Sequence, residues 1–280
     1  MIVRLTGAFL RALLIALAIA TPALLLPDVG ADAAQVTVLV ALVAGAFTFV
    51  EYYSQFPSIL EFRFAPPVNR LRYFTMFSMV LLLTVYYSGS ALETPIATLL
   101  MKLAELMARA VDFPFSPVRL VLLALPAEAT EQTVAMVRAA AGIAYVVALL
   151  GVVAFAIMVR VYGWPVRYGA FNVWINLPLF DPTGGGDVLT RLKRDAVINL
   201  VLGFLLPFLL PAFVKLAGVL LDLSSIGDPH TLIWVMTAWA FFPANLMIRG
   251  IALYRVADII EEKRRRTYAE ARSDDAMQAA

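Results

Sequence analysis

Six stretches of the chain are apolar for long enough to cross a bilayer, and polar or proline-rich segments separate them. Residues 8–27, 35–54, 72–90, 138–161, 196–221 and 231–254 each approach or exceed the length of about 20 residues that a helix needs to cross a roughly 30 Å hydrocarbon layer. A membrane barrel would show shorter segments of alternating hydrophobicity. The pattern therefore predicts an all-α integral membrane protein. Residues 1–261 form a single polytopic domain, a six-span helical bundle, and a basic and then disordered tail follows over 262–280, with the segment after Asp258 expected to continue span six as a helix before fraying into solvent. Thr130 can cap a helix beginning at Glu131, so the fourth span can start ahead of residue 138.

Residues 91–137, between the third and fourth spans, carry their own pattern. Leu92, Ile96, Leu99, Leu100, Leu103, Leu106, Met107 and Val111 recur at helical spacing, with Lys102, Glu105 and Arg109 on the other side. This predicts an amphipathic helix in the outer interface, its apolar stripe in lipid or against the bundle. The stretch "PVRLVLLALP", residues 117–126, is apolar but too short to span, so it reads as re-entrant or as a second interfacial piece.

Composition agrees with the pattern. At 62% hydrophobic and 15% charged, with a mean hydropathy of +0.84, the chain lies outside the range of soluble domains. Cysteine is absent, which excludes disulfides, Cys-ligated clusters and a thiol nucleophile.

The net charge of +2 matters less than its placement, because Lys and Arg collect on the cytoplasmic side of membrane proteins. With the N-terminus inside, Arg63, Arg70 and Arg72 fall in the first inner loop. Arg167, Arg191, Lys193 and Arg194 then fall in the second, and Lys263 to Arg266 in the tail. The outer segments set Lys102, Arg109, Arg119 and Arg138 against Asp28, Asp32, Glu93, Glu105, Asp112, Glu128, Glu131, Asp222 and Asp228. Both termini are expected in the cytoplasm. An Ala-, Leu- and Arg-heavy composition with compact loops points to a bacterial inner membrane. Arg4 and Arg11 ahead of "ALLIALAIATPA" also have the charge and apolar run of a cleavable signal peptide, but the apolar run continues to Leu26, which favours a retained span.

Gly184-Gly185-Gly186 ahead of a basic helix raises the question of a phosphate cradle. A Walker-type loop needs a following Lys and Ser or Thr, and here Asp187, Val188 and Leu189 follow. Asp187 would repel phosphate but suits a helix N-cap. The stretch predicts a flexible turn after Pro182, then a short helix whose Arg191, Lys193 and Arg194 face lipid headgroups before Asp195 opens span five.

Trp174, with Phe171 and Phe180, fits a headgroup-level aromatic belt or a docking surface. The loop "FPSILEFRFAPPVNRLRY" has a similar look, stiffened by Pro66-Pro67. Arg63, Arg70, Arg72, Trp174, Asp181, Arg191, Lys193 and Arg194 are the docking candidates on the inner side.

Ionisable residues inside a bilayer each cost about 3 kcal/mol or more at mid-depth unless paired or near an end. Arg11 and Glu51 lie at matching depths on the first two spans, where they can pair or snorkel separately. Asp195 and Asn199 on span five lie at the depth of Asn245 and Arg249 on span six, which predicts an inner polar cluster serving helix association. Span five also carries Pro207, Pro211 and Lys215, and span six Pro243. Prolines free backbone carbonyls that transporters use as ion sites, yet they also occur as ordinary kinks. Ala140, Ala144 and Ala148 predict close helix packing.

His230 reads as a solvated loop residue. One His without Cys supplies neither paired haem ligands nor an ordinary zinc site, so no metal or cofactor is expected. No hydrolase or metalloprotease motif occurs. The leading expectation is a non-catalytic accessory or assembly subunit of a larger membrane complex. A small permease or channel component using spans five and six is the alternative, and an enzyme acting on lipid headgroups through Asp181 and Arg191 is the third. Expected partners are the bilayer, anionic lipid at the basic tail, and a membrane protein or a second copy; nucleic acid is not among them.

Overall fold

The computed structural model describes residues 2–27, 29–92, 94–166, 171–181, 183, 185–218 and 228–278. Arg167, Gly184 and the end of the fifth expected span at 219–221 lie outside them, as do Asp28, Glu93, Pro182 and Asp222. The described residues are helical or irregular, without strands.

Six helices are long and apolar enough to cross a membrane. They are α1 (Ile2–Leu25), α2 (Ala31–Tyr53), α3 (Val68–Leu92), α6 (Glu131–Arg160), α8 (Val188–Gly218) and α9 (Pro229–Gln278). Between α3 and α6 lie α4 (Pro95–Val111) and α5 (Pro117–Ala124), and α7 (Val173–Asn176) precedes α8. Side-chain oxygens start several of these as their sequences lead one to expect. Thr94, Ser116 and Thr130 each accept the backbone N–H three residues on, opening α4, α5 and α6.

α9 is the central column: half of its apolar window is buried inside the bundle, against 17% for α2. It packs on α8, α6 and α3, while α1 and α2 form a peripheral hairpin that reaches the rest mainly through α3. Small residues let these backbones approach, as expected where van der Waals contact and not water exclusion drives association. Ala140, Ala144 and Ala148 are buried on α6, and a Cβ on Gly142 would fall 2.4 Å from the Ala108 Cα of α4.

That contact explains how α4 divides its faces. Ala97, Ala104 and Ala108 are buried, whereas Leu99, Leu103 and Leu106 point outward with Lys102, Glu105 and Arg109. The small side chains make the bundle contact, and the leucine stripe is left on the surface.

Two expectations are corrected. Asp195 does not open the fifth span, because the helix runs unbroken from Val188, where Asp187 supplies the cap. His230 is not a solvated loop residue: it sits half-buried in the first turn of α9 with Nε2 3.2 Å from Thr37 Oγ1. As expected of the segment after Asp258, the helix of the sixth span runs on past residue 262, to Gln278, since Ala, Glu and Arg favour helix and Arg265 pairs with Glu261 one turn away.

Candidate functional site at the basic end

One end of the bundle holds the start of α1, α3 and α8, the end of α2 and α6, the irregular segment 54–67, and the described residues between α6 and α8, with α7 among them. Its geometry starts from two charged side chains that turn back on the chain. The Glu51 carboxylate, in the last turn of α2, accepts backbone N–H groups from Ser58, Ile59 and Leu60 at 3.1 to 3.3 Å, together with the Ser58 hydroxyl. Arg63 donates to the carbonyls of Glu51, Tyr52 and Ser54, which α2 leaves without intrahelical partners at its C-terminus. Together they pin the 54–67 segment on the end of α2. Burial, and then the charge of Arg4, lower the Arg63 pKa from its ordinary value, a sign of how positive this corner is.

The second segment locks onto the first. Phe62 N–H donates to the Asn176 carbonyl at 2.7 Å, and Phe64 N–H to Asn176 Oδ1 at 3.0 Å. Asn176 is buried on α7 and is held in turn by its own amide donating to Asn172. Phe62, Phe155 and Phe171 surround the Trp164 ring, and the Trp164 indole N–H donates to the Ala65 carbonyl. Phe62 takes φ +57°, an uncommon value for a bulky residue, and this packing holds it there. The result is a fixed platform that leaves Phe56, Ile59, Phe64, Trp174 and Leu179 exposed, with Ile59 and Leu179 toward the groove beneath it.

Beneath the platform, α1, α2, α3 and α9 enclose a groove of about 1180 Å³. Arg249 donates from Nε and Nη2 to the two oxygens of Glu61, at 2.7 and 2.8 Å, and ties the platform to α9. Arg72 lies over the Phe62 ring and reaches Asn69 Oδ1 with Nη1, while its enclosed Nε has no partner. Arg70 lines the same groove and is exposed.

Among the described residues no hydrogen bond joins the other expected pairs, although Asp195 acts on the Arg249 guanidinium through space. Arg11 donates to the Gly7 carbonyl and stacks over Tyr52, while Glu51 is occupied by the loop. Asn199 and Asn245 donate to carbonyls of their own helices, those of Asp195 and Phe241, and Arg249 takes Glu61 as its partner. Asp195 lies 3.5 Å from Arg194. Lys193 pairs with Glu261 of α9 at 2.6 Å, and Arg191 stacks over Phe180. Asp181 closes a turn by accepting from Thr183. Lys215 donates to the Leu123 carbonyl near the end of α5. The carbonyl of Pro207, which Pro211 deprives of a helical donor, accepts the Trp239 indole N–H at 3.2 Å.

Glu61 was not among the sequence candidates, and neither was Asp112, whose buried carboxylate pairs with Arg119 and Arg138 at 2.8 and 2.9 Å. Each lies outside any helical periodicity, and Arg249 and Arg138 are remote from them in sequence. The only available signal for Glu61 is that it stands as a lone acid among the arginines of its loop.

No protein-family profile, no curated protein and no solved structure matches the chain.

Proposed function

We propose that the chain is a non-catalytic subunit, accessory or assembly, of a larger complex in a bacterial inner membrane, docking through the platform at its basic end. The platform carries the reading. Five large apolar side chains stand exposed on segments that hydrogen bonds and aromatic packing hold fixed, so little ordering entropy opposes docking. Phe, Trp and Arg around a fixed apolar centre match the composition of interface cores. The excess of Lys and Arg on the expected inner segments supports a reading with this end, and both termini, in the cytoplasm.

The test is the native mass of a tagged copy extracted gently from its own membrane. A stoichiometric larger partner that is lost on Trp174→Ser plus Leu179→Ser, with the fold retained, is the expected result. A monomer or small homo-oligomer overturns the proposal.

A further inference from the structure

The groove has a polarity gradient that repeats on each helix lining it. On α1, Arg11 lies nearer the basic end and Leu14 and Ile15 about one turn deeper. On α2 the order is Glu51 and then Phe47; on α3, Arg72 and then Met76; on α9, Arg249, then Asn245, then Phe241 and Phe242. Four independent segments thus place charge at one end and hydrocarbon at the other. Phe47, Phe74 and Phe242 line the groove and are also exposed, so its apolar part opens sideways on the surface that faces lipid.

The charge does not cancel. Arg11, Arg70, Arg72 and Arg249 line the groove against two carboxylates, and both of those are already engaged. Glu61 is bound at both oxygens by Arg249, and Glu51 is held by the 58–60 backbone. The exposed guanidinium of Arg70 remains as a donor, and Arg72, whose enclosed Nε has no partner, also lines the groove, within a volume above the roughly 300–1,000 Å³ of ordinary small-molecule pockets. Guanidinium groups suit phosphate because their N–H donors match its oxygens.

We infer that the groove binds an anionic phospholipid from the bilayer, its phosphate at Arg70 and Arg72 and an acyl chain along Phe47, Phe74 and Phe242. The site goes beyond the docking proposal and stands whether or not a partner protein exists. Charge selects the headgroup, and the lateral opening lets the lipid enter without leaving the membrane.

The experiment is native mass spectrometry of the full chain, delipidated in detergent and titrated with phosphatidylglycerol or with phosphatidylcholine of the same acyl chains. The expected result is one retained phosphatidylglycerol. Phosphatidylcholine offers the same phosphate oxygens but brings a quaternary ammonium that the uncancelled guanidinium charge repels, so it should bind at least about tenfold more weakly, and Arg70→Gln should narrow that difference. Arg70 is exposed, so this variant tests the site even if Arg72→Gln fails to fold. Phe242→Arg should lower retention of both lipids. Equal retention of the two headgroups, or a preference unmoved by Arg70→Gln, overturns the inference. Displacement by glycerol phosphate at the same concentration as the lipid overturns the acyl half of it and identifies a free-phosphate site instead.

Discussion

Arg249 and Glu61 lie 188 residues apart in the chain and meet in a two-point ion pair, the Arg249 Nε and Nη2 reaching both Glu61 oxygens. Only 7% of the Glu61 side chain and 23% of the Arg249 side chain are exposed. The pair joins the platform to the central helix. Removing one member leaves the other charge enclosed, so Glu61→Ala or Arg249→Ala should cost about 3–5 kcal/mol. The double change Glu61→Leu with Arg249→Met should cost less than either alone. Thermal unfolding in detergent measures this, and additive losses would sink the account of the pair.

Trp239 and Pro207 give a cleaner cycle. Trp239→Phe removes the donor to a carbonyl that Pro211 has stripped of its helical partner, and should cost about 1 kcal/mol. Pro211→Ala restores a backbone N–H, so Trp239→Phe should cost less in that background. Equal costs in the two backgrounds would show that the indole contributes through packing alone.

The Gly142 contact sets how closely α4 approaches α6. Gly142→Ala places a methyl against Ala108 backbone, which cannot yield as a flexible side-chain tip does, and should destabilise by about 1–3 kcal/mol. A disulfide trapping assay with cysteines at Met107 and Ala141 should show slower closure in the variant. Unchanged melting and closure would mean that α4 is not held in this position.

The extension of α9 is tied back at Asp187, whose carboxylate accepts from Arg264 at 2.8 Å. That bond, and then backbone N–H donors at Leu189 and Thr190, hold the Asp187 pKa below its ordinary value. A depressed carboxylate contributes above its unfolded pKa and loses its contribution as pH falls through the folded one. Spin labels at Thr183 and Tyr268 should therefore keep their distance from about pH 8 to about pH 5 and separate only below the ordinary carboxylate range near 4. Asp187→Asn should separate them at neutral pH. Lengthening of the wild type between pH 8 and pH 5 would rule this linkage out.

Apolar length alone marks the six long helices, because a spanning segment must satisfy its own backbone and so announces itself in composition. The caps at Thr130 and Asp187 are legible for the same local reason: an oxygen and the N–H it accepts lie two or three residues apart. The groove was not legible. Arg11 and Glu51 share a depth but not a contact, since Glu51 finds three nearer donors in its own loop. Arg249 is recognisable as a buried cation, yet its partner sits on an irregular segment where no periodicity fixes which side chain points inward. Lys215 looks like an intramembrane charge until α5 folds back beside α8 and offers the Leu123 carbonyl.

The central claim is that the platform meets a protein. A photo-crosslinking side chain at Trp174 of the full chain, activated in its own membrane, tests it most directly, with the same group at exposed Leu106 on α4 as comparison. The account predicts one adduct of discrete added protein mass from position 174, absent from position 106. Lipid adducts alone at 174, or the same pattern from both positions, would contradict it.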